Sequence, residues 1–125
     1  MMQGKVFFVL GASLGFLGVA MGAFGAHALK NKLTPDMMAI FEVGVRYHMY
    51  HALALLAAGW AATQYQSGAV NLGGWLFLSG VCVFSGSLYV LAFTAVKAWG
   101  AVTPIGGLLL LGGWVSLALG VWRAQ

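Results

Sequence analysis

Charge is what this sequence has least of. Eight of its 125 residues are formally charged, six basic and two acidic, while 62% are hydrophobic and the mean hydropathy is +0.93. Soluble domains carry about 25% charged residues, so this surface is not made for water. Cysteine is nearly absent as well. Cys82 stands alone, which excludes an intramolecular disulfide or a thiolate metal cluster and leaves a small apolar core residue as the expectation. No phosphate loop, nucleophile triad or carboxylate dyad can be read from the sequence, so no catalytic residue, metal site or cofactor is expected. The net charge of +4 does not point to nucleic acid. Lys5, Lys30, Lys32, Arg46, Lys97 and Arg123 are scattered near expected helix ends, where basic side chains snorkel to lipid headgroups.

What the chain has in plenty is long apolar stretches, at about 6–29, 43–63, 72–96 and 104–122. Each reaches the roughly 20 residues that cross a hydrocarbon core of about 30 Å. Membrane barrels alternate apolar and polar residues over segments of about ten, and no such alternation is present. The expectation is an all-α integral membrane protein of one domain, a four-transmembrane-helix bundle whose partner is the lipid bilayer. Met1 to Lys5 before an apolar run resembles a signal peptide, but h-regions extend only about 7–15 residues, and the run continues to Leu29. It is read as a spanning helix.

Thr34-Pro35-Asp36 and Thr103-Pro104 mark two helix starts, with threonine at the cap and proline in the first turn. From Pro35 to Gln64 a helix would measure about 45 Å, more than the core requires. Residues 35–44 therefore suit an interfacial start, with a bend at Gly44. Sliding the chain by 69 residues aligns Gly4 with Gly73, Gly11 with Gly80, Gly18 with Ser87, Thr34-Pro35 with Thr103-Pro104 and Gly44 with Gly113. The halves then read as two related helical hairpins.

Small residues recur regularly. Gly11, Gly15, Gly18, Gly22 and Gly25 lie in the first span, Gly73, Gly80 and Ser87 in the third, and Gly106, Gly113 and Gly120 in the fourth. Small residues let membrane helices approach closely, and a seven-residue period keeps such a seam on one partner.

The titratable groups crowd into "FEVGVRYHMYH" at 41–51. Glu42 and Arg46 are spaced for a helical ion pair, expected to tie the second helix to the end of the first, beside His27. Tyr47, Tyr50 and His51 would extend this polar layer inward, and His48 falls on the far flank. Two readings stand: an interfacial belt in which Arg46 snorkels, or an intramembrane site, because ionisable groups at depth usually face a cavity or a partner. Ser79, Ser85, Ser87 and Tyr89 are expected to bond between helices. Trp114 needs a partner for its N–H, with a backbone group or a serine the expected one.

The stretches "GAFGAHALK" at 22–30, "FEVGVRYHMYHALALL" at 41–56, "FSGSLYVLAF" at 84–93 and "TPIGGLLLLGGW" at 103–114 resemble the YgdD-like small inner-membrane proteins. The resemblance implies four spans, a bacterial inner-membrane location, relatives in mitochondria and no known reaction. It places His27, Arg46, Tyr47, Tyr50 and His51 at motif positions and His48 at a less characteristic one.

The first expectation for function is a non-enzymatic protein acting through helix–helix contacts, as a homo-oligomer or as a subunit of a membrane complex. The second is a small proton-coupled transporter or channel using Glu42, Arg46, His27 and His51. A haem- or quinone-linked redox protein is a distant third. Lys30, Lys32 and Lys97 lie on one side of the membrane and Lys5 and Arg123 on the other. By the positive-inside tendency both termini are then outside the cytoplasm.

Overall fold

The computed structural model describes residues 2–125, and among them it contains helices and turns but no strand. Four long helices follow one another. The first covers Met2–Leu29 and includes a π-helical stretch at Ala20–Gly25, where the Ala26 N–H reaches back to the Met21 carbonyl. The second is Pro35–Gln64 and the third Gly68–Thr94. The fourth is Thr103–Arg123, preceded by a 3₁₀ turn at Lys97–Ala101. The first, the third, and the fourth taken with its 3₁₀ turn are long and apolar enough to cross a membrane. The second has the length, 30 residues, but its histidines, Glu42 and Arg46 lower its hydropathy.

Thr34 caps the second helix as its sequence predicts, its hydroxyl accepting from the Met37 N–H at 3.3 Å. Thr103 departs from that pattern. It makes no cap bond; its hydroxyl instead meets Ser87 Oγ at 2.6 Å and ties the fourth helix to the third. The third helix ends at Ala95 in the left-handed region, φ 56°.

The helices pack in chain order: first on second, second on third, third on fourth. No Cα atoms of the first and fourth helices come within 8 Å of each other, so the four form an open, folded row. The second helix sits inside it. Phe7 links across the row, fully buried beneath Trp75 (ring centroids 5.2 Å) in the space left open by Gly74. Around Phe7 lies an apolar core that includes Leu55, Ala58, Val70, Phe77 and Leu110.

Close approach at glycine sets the hairpins. A Cβ at Gly11 would lie 3.0 Å from the Ala52 carbonyl, and one at Gly4 would lie 2.8 Å from the Gly59 carbonyl. In the second hairpin Gly73 faces Gly113, Gly80 faces Leu110, Gly106 faces the Phe84 backbone and Gly120 faces Val70. Gly25 meets the Phe41 ring and Gly22 only Val45. Gly15 is the exception: nothing lies within 4 Å of the place its Cβ would take. The seam of the first helix is Gly4, Gly11, Gly18 and Gly25, every seventh residue, and Gly15 is off it.

The two hairpins are not superposable in register. Gly113 packs inside its own hairpin against Phe77, whereas Gly44, which aligns with it, packs across to Leu88 and Tyr89 of the third helix. The second helix runs through Gly44 as continuous α-helix. Cys82 also departs from expectation: it is exposed, on the outer surface of the third helix.

Candidate functional site: a histidine-centred polar layer

The second helix carries its two buried histidines at its midpoint, and its inside position gives them neighbours on three sides. His48 and His51 are each 5% exposed. His48 is flanked by two glycines that clear its way. Gly18 of the first helix has His48 Cδ2 3.4 Å from where its Cβ would be, and Gly44, one turn earlier, leaves room for the Tyr89 ring. Through these gaps His48 Nε2 reaches the Leu14 carbonyl at 2.8 Å and His48 Nδ1 reaches the Tyr89 hydroxyl at 2.8 Å. Next to them Ser85 Oγ donates to the Gly44 carbonyl at 2.7 Å. One imidazole therefore joins the first, second and third helices.

His51 points toward the fourth. Its Nδ1 lies 2.7 Å from the Tyr47 carbonyl, one turn back, and Trp114 Nε1–H donates to its Nε2 at 3.1 Å. Tyr47 and His51 are stacked, with centroids 6.2 Å apart and an interplanar angle of 11°. Phe77 sits edge-on to Trp114 at 4.9 Å.

The donors fix the tautomers. Indole N–H only donates and a carbonyl only accepts. His51 must then be neutral with its proton on Nδ1, donated to Tyr47, while Nε2 accepts from Trp114. His48 carries a proton on Nε2, donated to Leu14, and in the neutral ring Nδ1 takes the Tyr89 O–H. The ¹⁵N spectrum of the imidazoles should show two opposite tautomers, Nδ1–H for His51 and Nε2–H for His48. Finding both rings in one tautomer would contradict this arrangement. Every polar side-chain atom buried among the described residues has a partner, as a low-dielectric interior requires.

Several sequence expectations change here. His48, ranked below His51, is as deeply buried and makes the broader set of contacts. Trp114 finds its partner in His51 rather than in a backbone group or a serine. Ser85, Ser87 and Tyr89 bond between helices, but Ser79 bonds to the Trp75 carbonyl of its own helix. Glu42 and Arg46 form no ion pair, and none is present among the described residues. Both are exposed on the outer face of the second helix, because that face turns away from the first and third. His27 is exposed in the last turn of the first helix and does not join the layer. Tyr47 and Tyr50 are 38% and 54% exposed and sit at the layer's rim. Haem ligation does not suit these rings: all four nitrogens of His48 and His51 are already engaged.

Comparison with known proteins now adds to this geometry. Residues 21–107 match the family described as "Protein of unknown function (DUF423)". The UPF0382 membrane protein SSP2132 of Staphylococcus saprophyticus is 46% identical, over 95% of this chain and 98% of its own length. The chain belongs to this family of uncharacterised membrane proteins. The UPF0382 membrane protein of Staphylococcus epidermidis is 48% identical over 92% of this chain and 93% of its own. The UPF0382 membrane protein YwdK of Bacillus subtilis is 41% identical, over 92% and 94%. No solved structure matches. The family match includes His48, His51, Ser85 and Tyr89, whereas Leu14, which gives only a backbone carbonyl, and Trp114 lie outside it.

Proposed function

We propose that this UPF0382 protein is a non-enzymatic, four-span protein of the bacterial inner membrane that works as a homodimer through the outer face of its second helix. Ala39, Glu42, Arg46, Tyr50, Leu53, Ala57 and Trp60 are all exposed. Their spacing of three and four puts them in one stripe along that helix. Glu42 and Arg46 carry the reading: an acid and a base one turn apart, both outward and neither paired among the described residues. In a chain with two acids, leaving both charges to hydrocarbon is costly. A two-fold axis along the membrane normal sets two copies of this helix side by side. Glu42 of each then meets Arg46 of the other, since a self-complementary patch is what such an axis demands.

Four crossings are supported by helix lengths. At 1.5 Å per residue the second helix is about 45 Å long, beyond the roughly 30 Å needed, and the histidines that lower its hydropathy point inward. Lys30, Lys32 and Lys97 at the first and third connections favour the cytoplasm, which leaves both termini outside. Reporter fusions to the C-terminus test this side, and a cytoplasmic signal reverses it.

The dimer is tested by native mass measurement from lipid nanodiscs, with Glu42→Lys, Arg46→Glu and their combination. Each single change should weaken association at least about tenfold, as expected for unlike charges made alike across an interface. The combined exchange should restore it. A wild-type protein that stays monomeric with bound lipid overturns the proposal. A proton-coupled pore gains less from the geometry, because the cleft that reaches His51 is apolar and lies on the side of the helix row, and Glu42, Arg46 and His27 all lie outside it.

A further inference from the structure

Beside the polar layer the row of helices leaves a cleft of ≈ 480 Å³ between the second, third and fourth helices. Tyr47, Tyr50, Phe84 and Trp114 form its walls, His51 reaches it from within, and Gly107 opens one side. Its size falls in the range of small-molecule sites, about 300–1,000 Å³, and its lining residues place it on the side of the helix row, midway along the second and fourth helices. The walls are held in place before anything binds. Tyr47 packs on Phe84 at 4.8 Å and on Tyr50 at 5.8 Å, and Trp114 is fixed by His51.

The cleft itself is largely apolar, and the polar atoms of the residues that line it are unequally served. The nitrogens of His51 and the N–H of Trp114 are engaged with each other and with Tyr47's carbonyl. The hydroxyls of Tyr47 and Tyr50 have no hydrogen-bond partner among the described residues, although both lie close to the midpoint of the second helix. On the four-span reading proposed above, on which this inference rests, both lie in hydrocarbon, where water does not supply a partner and an unmet donor is costly. The chemistry still missing is a hydrogen-bond acceptor.

We propose that the cleft binds a neutral, lipid-soluble molecule with a flat ring bearing carbonyl oxygens, of the prenylated-quinone type, entering sideways from the bilayer. Each feature of the site selects part of that description. Aromatic walls favour a flat ring, by offset or edge-on stacking. Two phenolic donors favour carbonyl acceptors. Depth excludes the alternative source of carbonyls: phospholipid esters are held at headgroup level, while an acyl chain that reaches mid-depth carries no acceptor. The proposal concerns binding alone. The cleft shares Tyr50 with the stripe that carries Glu42 and Arg46, while Tyr47, Phe84, Gly107 and Trp114 lie off that stripe, so Tyr47→Phe alone tests the cleft apart from the dimer.

The test uses the full chain in lipid nanodiscs, titrated with decyl-1,4-benzoquinone and followed by tryptophan quenching, with decylbenzene as the ring-bearing probe that lacks carbonyls. Quenching should saturate, and the saturable part should vanish in Trp114→Phe. Tyr47→Phe with Tyr50→Phe keeps both rings, removes both donors and should weaken binding at least tenfold; Gly107→Leu should block it. Decylbenzene should bind at least tenfold more weakly than the quinone. Non-saturable quenching overturns the proposal. So does equal binding by the paired tyrosine variant, or equal binding of decylbenzene, which would mark a merely apolar groove. If Gly107→Leu fails to assemble, the tyrosine variants, which delete only oxygen atoms, decide the matter.

Discussion

Gly106→Ala should be among the most damaging single substitutions in the chain, and Gly15→Ala should leave it unharmed or firmer. A Cβ on Gly106 would overlap the Phe84 backbone nitrogen and lie 2.7 Å from the Phe84 Cα. Helical backbone has no rotamer by which to retreat, so the third and fourth helices must part. Overpacking of this kind costs about 1–3 kcal/mol. The separation would also pull on the Ser87–Thr103 bond one turn away, 2.6 Å long, and so cost more than the single contact. At Gly15 the added methyl meets nothing within 4 Å, and alanine is preferred to glycine inside a helix by roughly 0.5–1 kcal/mol. Denaturant titration in mild micelles should separate the two by about 1.5–4 kcal/mol, the sum of those effects. Should Gly15→Ala prove as harmful as Gly106→Ala, the outward face of the first helix must be packed against something other than this chain.

The contrast between those two glycines shows what the sequence discloses and what it withholds. Four-helix organisation follows from apolar length, and the seams follow from a period of seven. The first span also holds glycines at spacings of four and three, and this denser pattern contains one seam and its neighbours. Choosing Gly11, Gly18 and Gly25 over Gly15 required extending the seven-residue period back to Gly4. Register between helices has no comparable signal. Gly44 and Gly113 align in the two halves yet pack on different neighbours, because the first hairpin must leave the second helix free to contact the third.

The polar cluster was readable as a list of residues but not as an arrangement. Spacing of four predicts both Glu42–Arg46 and Tyr47–His51; only the second pair meets, stacked and joined through the Tyr47 carbonyl. The first pair faces outward, exposed and without an ion pair among the described residues. That placement itself holds the clue to His48. On a helix whose charged face is outside, the opposite side is the inside, and at about 100° per residue His48 and His51 both lie well round from Glu42 and Arg46, so the fold buries both. Which groups would meet His48, a carbonyl from the first helix and a tyrosine from the third, depends on crossings that no local pattern encodes.

His48 and Tyr89 should therefore prove energetically coupled, and a double-mutant cycle should measure it. His48→Phe fills a similar volume but leaves the Tyr89 hydroxyl without its acceptor, 2.8 Å away in the native chain. It also removes the donor from the Leu14 carbonyl, which keeps its backbone bond. Tyr89→Phe leaves His48 Nδ1 as an unmet acceptor. An unsatisfied buried group costs about 1–3 kcal/mol, but interhelical hydrogen bonds in membranes average only about 0.6 kcal/mol and reach about 1.7. His48→Phe should be the worse single change, because that ring touches three helices and Tyr89 bonds only one of its nitrogens. The double variant should cost less than the two singles added together, by about 0.6–1.7 kcal/mol. Gly44→Ala should imitate Tyr89→Phe, since its Cβ would lie 2.9 Å from Tyr89 Cε1 and push the hydroxyl off His48. In the Tyr89→Phe background Gly44→Ala should then cost only its steric part. If the His48 and Tyr89 changes add in full, the two rings do not support each other, and Leu14 alone holds the histidine.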